Sequence, residues 1–232
     1  MCIPAFGQTT ANDWYNKGTA LLYQGKYNEA IEAYDTAIKL NPTNATLWAS
    51  KGTVFILQGK YNDANQAIDK AIQINSSDQT TWSTQAKLLE LQGKYTESIN
   101  ACDKVIELNP KSIYAGAAWY LKGQVLFIQG KYDEAIQAYD ETIKVYPAIA
   151  ANAWYSKGII LYKQGNYIAA VNASTAAIEL PLPNTASSQA KSTLAANSWY
   201  LKGISLKALG HNTDADAALA KAQELGFTGL TM

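Results

Sequence analysis

Residues that could carry covalent or metal chemistry are few in this 232-residue chain, and they are scattered. There is one histidine, His211, and there are two cysteines, Cys2 and Cys102. No His, Cys and carboxylate group falls at metal-ligand spacing. Asp13, Asp35, Asp69, Asp103 and Asp140 stand apart, and the last four share one position of an internal repeat, as a solvated helix face would. Gly-Lys-Tyr also recurs, but between periodic apolar stretches, where it links helices and cradles no phosphate. No catalytic residue, metal or cofactor is expected. What the chain offers is recognition: Trp-Tyr stands at 14–15, 119–120, 154–155 and 199–200. Tyrosine joins a large rigid apolar body to a polar tip, which suits a contact surface.

The stretch Trp119 to Pro147 contains the elements that must position these residues. Trp119, Gly123 and Leu126 are spaced i, i+4, i+7 and share one face of a first helix. Gly130 ends that helix, because glycine tolerates the left-handed backbone a helix end needs. Ala135, Tyr139 and Thr142 form the inner face of a second helix, which Pro147 stops. Small Gly123 and Ala135 let the two helices approach closely. A lone hairpin cannot bury its other faces and needs neighbours of its own kind.

The neighbours are present as units 11–44, 45–78, 79–112, 116–149, 151–184 and 196–229. All the tryptophans, Trp14, Trp48, Trp82, Trp119, Trp154 and Trp199, occupy the fourth position. The fifteenth position is always glycine: Gly25, Gly59, Gly93, Gly130, Gly165 and Gly210. The period and the columns resemble the tetratricopeptide repeat. The resemblance implies an all-α fold, a right-handed superhelical α-solenoid of antiparallel helix pairs. It also implies a concave groove lined by positions 2, 5, 9, 12 and 13 of the first helices. These positions fall on one side of a helical wheel, opposite the tryptophan.

In this chain those positions hold tyrosines, amides and aliphatics with few charges. The candidate contacts are Tyr15, Tyr120, Tyr155 and Tyr200 at position 5, Asn12, Asn152 and Asn197 at position 2, and Phe127 and Tyr162 at position 12. Ala49 and Ser83 are small and could leave a pocket edged by Lys87 and Glu90. The expected function is a non-catalytic scaffold that binds a peptide segment or helix of a partner protein. Two other classes stay open: an exported or cell-surface binder of a glycan, and an architectural self-assembly module. The family's chaperone-binding members clamp a terminal carboxylate with groove lysines. Positions 2, 5 and 6 carry no lysine here, so acidic chaperone tails are not expected partners.

Composition narrows the classes further. Net charge is zero and 16% of residues are charged, with no run of basic residues, so nucleic acid is not an expected partner. No apolar run is long enough to span a bilayer. Residues 1–10 lie outside the repeats and read either as a flexible terminus or as a signal-peptide remnant, so export and a cytoplasmic location are both open. Sequons stand at Asn44, Asn75 and Asn172. Ile113 to Ala115 and Ala150 are inserted and should lengthen the helices that follow, with Ser112 as an N-cap. Residues 185–195 read as a helical insertion extending the last first helix from about Ser187 to Leu209. Position 7 is Lys17, Lys51, Gln85, Lys122, Lys157 and Lys202, and its lysines are expected to lay stems on the core and amines in water. Asp216 and Gln223 replace apolar residues of earlier units, so the last unit is expected to act as a C-terminal cap.

Overall fold

The computed structural model describes residues 9–181, 187–227 and 229. The terminal residues 1–8 and the first residues of the helical insertion, 185 and 186, lie outside the described residues. The described residues form twelve α-helices and no strand. The chain divides into two compact units, Met1–Leu108 and Asn109–Met232.

In the first unit α1 (Ala11–Tyr23) pairs with α2 (Tyr27–Leu40), α3 (Ala45–Leu57) with α4 (Tyr61–Ile74), and α5 (Gln79–Leu91) with α6 (Tyr95–Leu108). In the second, α7 (Ile113–Ile128) pairs with α8 (Tyr132–Val145), α9 (Ala150–Lys163) with α10 (Tyr167–Glu179), and α11 (Ser188–Ala208) with α12 (Asn212–Glu224). A 3-10 turn, Pro147–Ile149, leads into α9. The second helix of one pair packs on the first helix of the next: α2 on α3, α4 on α5, α8 on α9 and α10 on α11.

Helix starts follow from side-chain oxygens. Thr10 and Asp13 close a capping box at α1, with Asp13 N donating to Thr10 Oγ1 and Thr10 N to Asp13 Oδ2. Asn44, Asp78, Ser112 and Ser187 cap α3, α5, α7 and α11. The inserted residues at 113–115 do lengthen α7, and α11 is the longest helix at 21 residues. Gly130 ends α7 with φ at +74°, and Lys131 N donates back to the Leu126 carbonyl at 2.9 Å.

Packing inside a pair depends on a missing side chain. A Cβ on Gly123 would lie 2.6 Å from Tyr139 Cε1, and one on Gly18 would lie 2.7 Å from Tyr34 Cε1. The tyrosine ring fills the space the glycine leaves, so Tyr34 and Tyr139 are almost wholly buried. Ala135 and Thr142 are buried beside Tyr139, and Leu126 beside Gly123. Cys102 occupies the tyrosine position of its repeat and is buried.

The tryptophans are not fully buried core residues: all six are half-buried. Two of them carry a polar tether. Trp48 Nε1 donates to the Pro42 carbonyl at 3.1 Å, and Trp82 Nε1 donates to the Ser76 carbonyl at 2.9 Å. In these two repeats the indole bridges a first helix to the turn before it and keeps one edge at the surface.

Gly123→Ala is expected to lower the unfolding free energy by about 1–3 kcal/mol, as overpacking does. Pairing it with Tyr139→Leu should recover part of the loss in urea denaturation. Tyr139→Ala should cost about 3–5 kcal/mol, and Trp119→Ala less, because only part of the indole leaves water. Equal losses at Trp119 and Tyr139 would contradict this assignment of the core.

Candidate functional site

The densest set of candidate residues lies on α7 and α9 of the second unit. Tyr120 and Phe127 are one face of α7, and Tyr155 and Tyr162 are the matching face of α9, each pair spaced i, i+7. Two contacts show that the helices lie side by side. Tyr120 Oη is 3.5 Å from Ser156 Oγ at one end, and Lys163 Nζ lies 5.8 Å from the Phe127 ring at the other. All four rings are half-buried. Three of them pack on a ring of the second helix of their pair: Tyr120 on Tyr139 at 5.7 Å, Phe127 on Tyr132 at 5.7 Å, and Tyr162 on Tyr167 at 5.4 Å. The result is a supported aromatic face with its outer side in solvent. Asn152 is half-buried one turn before Tyr155.

Burial dominates the electrostatics. It pushes the phenol of Tyr155 above its ordinary value, with nearby Tyr120 adding to the shift. Burial also pushes Tyr139 well above the ordinary range. Tyr34 is raised for the same reason, partly offset by its contact with the Thr19 hydroxyl at 3.2 Å.

Tyr200 differs from its counterparts. Its ring is stacked on Phe227, with centroids 4.0 Å apart and planes 16° from parallel. The chain reverses after α12 through Gly226 (φ +89°), and Ser192 Oγ donates to the Leu225 carbonyl at 2.9 Å. One face of Tyr200 is therefore covered by the chain's own following segment. Asn197 is half-buried on the same helix, and Asp216 and Gln223 are exposed on α12.

In the first unit, Asn12 is exposed and Tyr15 leans on Tyr34 at 6.0 Å. Lys87 and Glu90 form an ion pair along α5, so neither stands as a single charge at the edge of a pocket. Ala49 is buried, and Ser83 Oγ donates to the Gln79 carbonyl at 2.8 Å.

The position-7 lysines do not simply place their amines in water. Lys17 Nζ lies 4.5 Å from the Trp14 ring centre, and Lys122, Lys157 and Lys202 each lie 5.1 Å from Trp119, Trp154 and Trp199. Lys51 also pairs with Asp35, and Lys157 with Asp140, in the preceding repeat. The aspartate column thus joins one repeat to the next. The signal for the first contact was in the sequence, as Trp-x-x-Lys at i, i+3 in five repeats.

Position 13 was expected to line the groove, yet none of its residues stood among the candidate contacts. Tyr23, Leu57 and Leu91 are exposed at 86%, 53% and 41%, and Ile128 at 52%. Among the described residues, no group of three or more His, Cys, Asp or Glu is placed to hold a metal, and no helix is long and apolar enough to cross a membrane.

Family models for the tetratricopeptide repeat match residues 11–44, 33–66 and 129–180. A model for anaphase-promoting complex, cyclosome, subunit 3 matches residues 57–142. The helix pairs, their turns and these matches agree. The chain is a tetratricopeptide repeat protein. No curated protein sequence matches it significantly. Among solved structures this repeat protein is similar to MamA, at 25% identity over 74% of this chain and 91% of that one, with a TM-score of 0.62. It shares the fold of PilF from Pseudomonas aeruginosa, at 16% identity over 94% and 93% of the two chains, with a TM-score of 0.77. It also shares the fold of YrrB, described as a TPR protein with an unusual peptide-binding site, at 21% identity over 75% and 88%, with a TM-score of 0.57.

The raised tyrosines give a pH signature. Their neutral form is favoured in the folded chain, so the stability they contribute is present below the unfolded value near 10.0 and is lost as pH rises above it. Alkaline titration of phenolate absorbance should resolve a late-ionising class that shrinks in Tyr139→Phe and Tyr155→Phe. A single class at the ordinary midpoint would contradict the burial of these phenols.

Proposed function

We propose that this tetratricopeptide repeat protein is a non-catalytic scaffold that holds a segment of a partner protein against the aromatic face of α7 and α9. The observation that carries the reading is the half-exposed four-ring surface of Tyr120, Phe127, Tyr155 and Tyr162, three of them backed by a second-helix tyrosine. Rigid aromatic side chains lose little rotamer entropy on binding and leave hydroxyls for a partner's backbone. Solvent-facing apolar surface of this extent favours an interaction role. An extended segment or a short helix could lie along the face, with Asn152 offering an amide at one end. Asn12, Tyr15, Lys87, Glu90, Asn197 and Tyr200 would extend the contact on their own helices. The peptide-binding description of YrrB, a protein of the same fold, is consistent with this use.

The test is a pull-down with wild type beside the Tyr120→Ala/Tyr155→Ala double variant. The expected result is a partner retained by wild type and lost by the variant, with helicity and melting curve preserved. Equal capture by both chains would contradict the reading. A rise in melting temperature caused by a specific sugar and by no protein would replace the peptide with a glycan.

A further inference from the structure

The helical insertion and the turn after α12 meet at the last tyrosine of the position-5 series. α11 has 21 residues against 14 in α9. Its added length carries Ser192, whose Oγ donates to the Leu225 carbonyl at 2.9 Å, across 33 residues of sequence. Two backbone bonds close the turn. Gly226 N donates to the Gln223 carbonyl and Phe227 N to the Ala222 carbonyl, each at 2.9 Å. Phe227 is thereby laid flat on Tyr200, with 4.0 Å between centroids and 16° between planes. The rings packed on Tyr15, Tyr120, Phe127 and Tyr162 are instead tilted, at 39°, 50°, 40° and 58°, and belong to the second helix of the same pair. The pair of α11 and α12 has its own filling. Leu219 takes the space that Gly203 leaves, where a Cβ would lie 2.7 Å from Leu219 Cγ. Ala215, Ala218 and Ala222 bury the inner face of α12. The outer flank of α12 is polar, with Asp216 and Gln223 exposed, so it calls for no apolar cover. What Phe227 does is remove one face of Tyr200, which holds the same position in its repeat as Tyr120 and Tyr155.

We propose, resting on the aromatic face as the partner site, that the turn after α12 is a built-in cover of that face. Phe227 occupies Tyr200 in the chain alone and lifts off when a partner segment reaches α11. One flat ring contact and one hydrogen bond favour the covered form by about tenfold to a hundredfold. A partner that gains more than this at Tyr200 displaces the cover, and one that gains less is held to α7 and α9. Gly226 is the hinge, since glycine leaves a φ of +89° for ordinary values at little cost. Ser192 is the tether. It lies in the insertion, which has no counterpart in the other units, so the cover belongs to the last repeat alone.

Fluorine NMR of the full chain with para-fluorophenylalanine in place of Phe227 reports the cover. The stacked ring should resonate away from its position in the Tyr200→Ala chain, through the ring current of Tyr200. Ser192→Ala should move it part of the way there, as the open population rises about fivefold. For the partner, a benzophenone amino acid replaces Ile204, one turn after Tyr200 on α11, in the source cell. The reference is the same group in place of Gln124, the equivalent position of α7. Phe227→Ala should raise capture from Ile204 about tenfold and change capture from Gln124 much less. Equal fluorine shifts in the wild-type and Tyr200→Ala chains would overturn the proposal. So would capture from Ile204 that Phe227→Ala leaves unchanged while Gln124 still captures. Lower capture from Ile204 would overturn it too, because Phe227 would then belong to the partner's contact surface. Capture from neither position in any chain would overturn the aromatic face and its cover together.

Discussion

The close approach of two helices at a glycine is the contact on which the rest depends. Where Gly123 faces Tyr139, and Gly18 faces Tyr34, a large ring lies where a side chain would otherwise stand. That contact sets the separation within a pair and places the ring at the centre of the buried surface. A pair closed in this way still has two uncovered flanks, and burying them requires another pair. Packing of α2 on α3 and of α8 on α9 follows from this need. So does the alignment of equivalent residues, which converts a sequence repeat into a surface ladder.

Ladders on different sides of the repeats have different chemistry. On one side, lysine ammonium groups cover half-buried indoles and reach aspartates of the preceding repeat, as Lys157 does with Trp154 and Asp140. These contacts are local and largely exposed, so each contributes modestly, but they join successive repeats. On the first-helix side of the second unit the ladder is aromatic and its charges are few. Neutral Tyr120 and Tyr155 can be desolvated by a partner at small electrostatic loss, which a charged face could not offer.

Much of the fold was legible because six copies vote on each position. Turn glycines, helix faces and the long α11 could be read from Gly130, Tyr139 and the Gly/Pro-free run before Trp199. Depth was not legible: Trp119 marks a contact column, yet all six tryptophans are only half-buried, and Trp48 and Trp82 keep an indole N–H on the preceding turn. The Lys157–Asp140 pair was hidden because its partners belong to different repeats and meet only after stacking. The ladder of Tyr23, Leu57 and Leu91 emerges only when one position is read across repeats. The stack of Phe227 on Tyr200 depends on a chain reversal after Gly226 that no periodicity encodes. The residues of the aromatic face were identifiable singly, whereas their support from below by Tyr139, Tyr132 and Tyr167 came from the packing of α8 and α10.

The central claim is that a partner segment lies on the aromatic face of α7 and α9. Site-specific photocrosslinking in the source cell tests it most directly. A benzophenone amino acid at Gln124, between Tyr120 and Phe127 on that face, should capture a partner, while the same group at Gln137, exposed on α8, should not. Capture from Gln137 alone, or equal capture from both positions, would contradict the account.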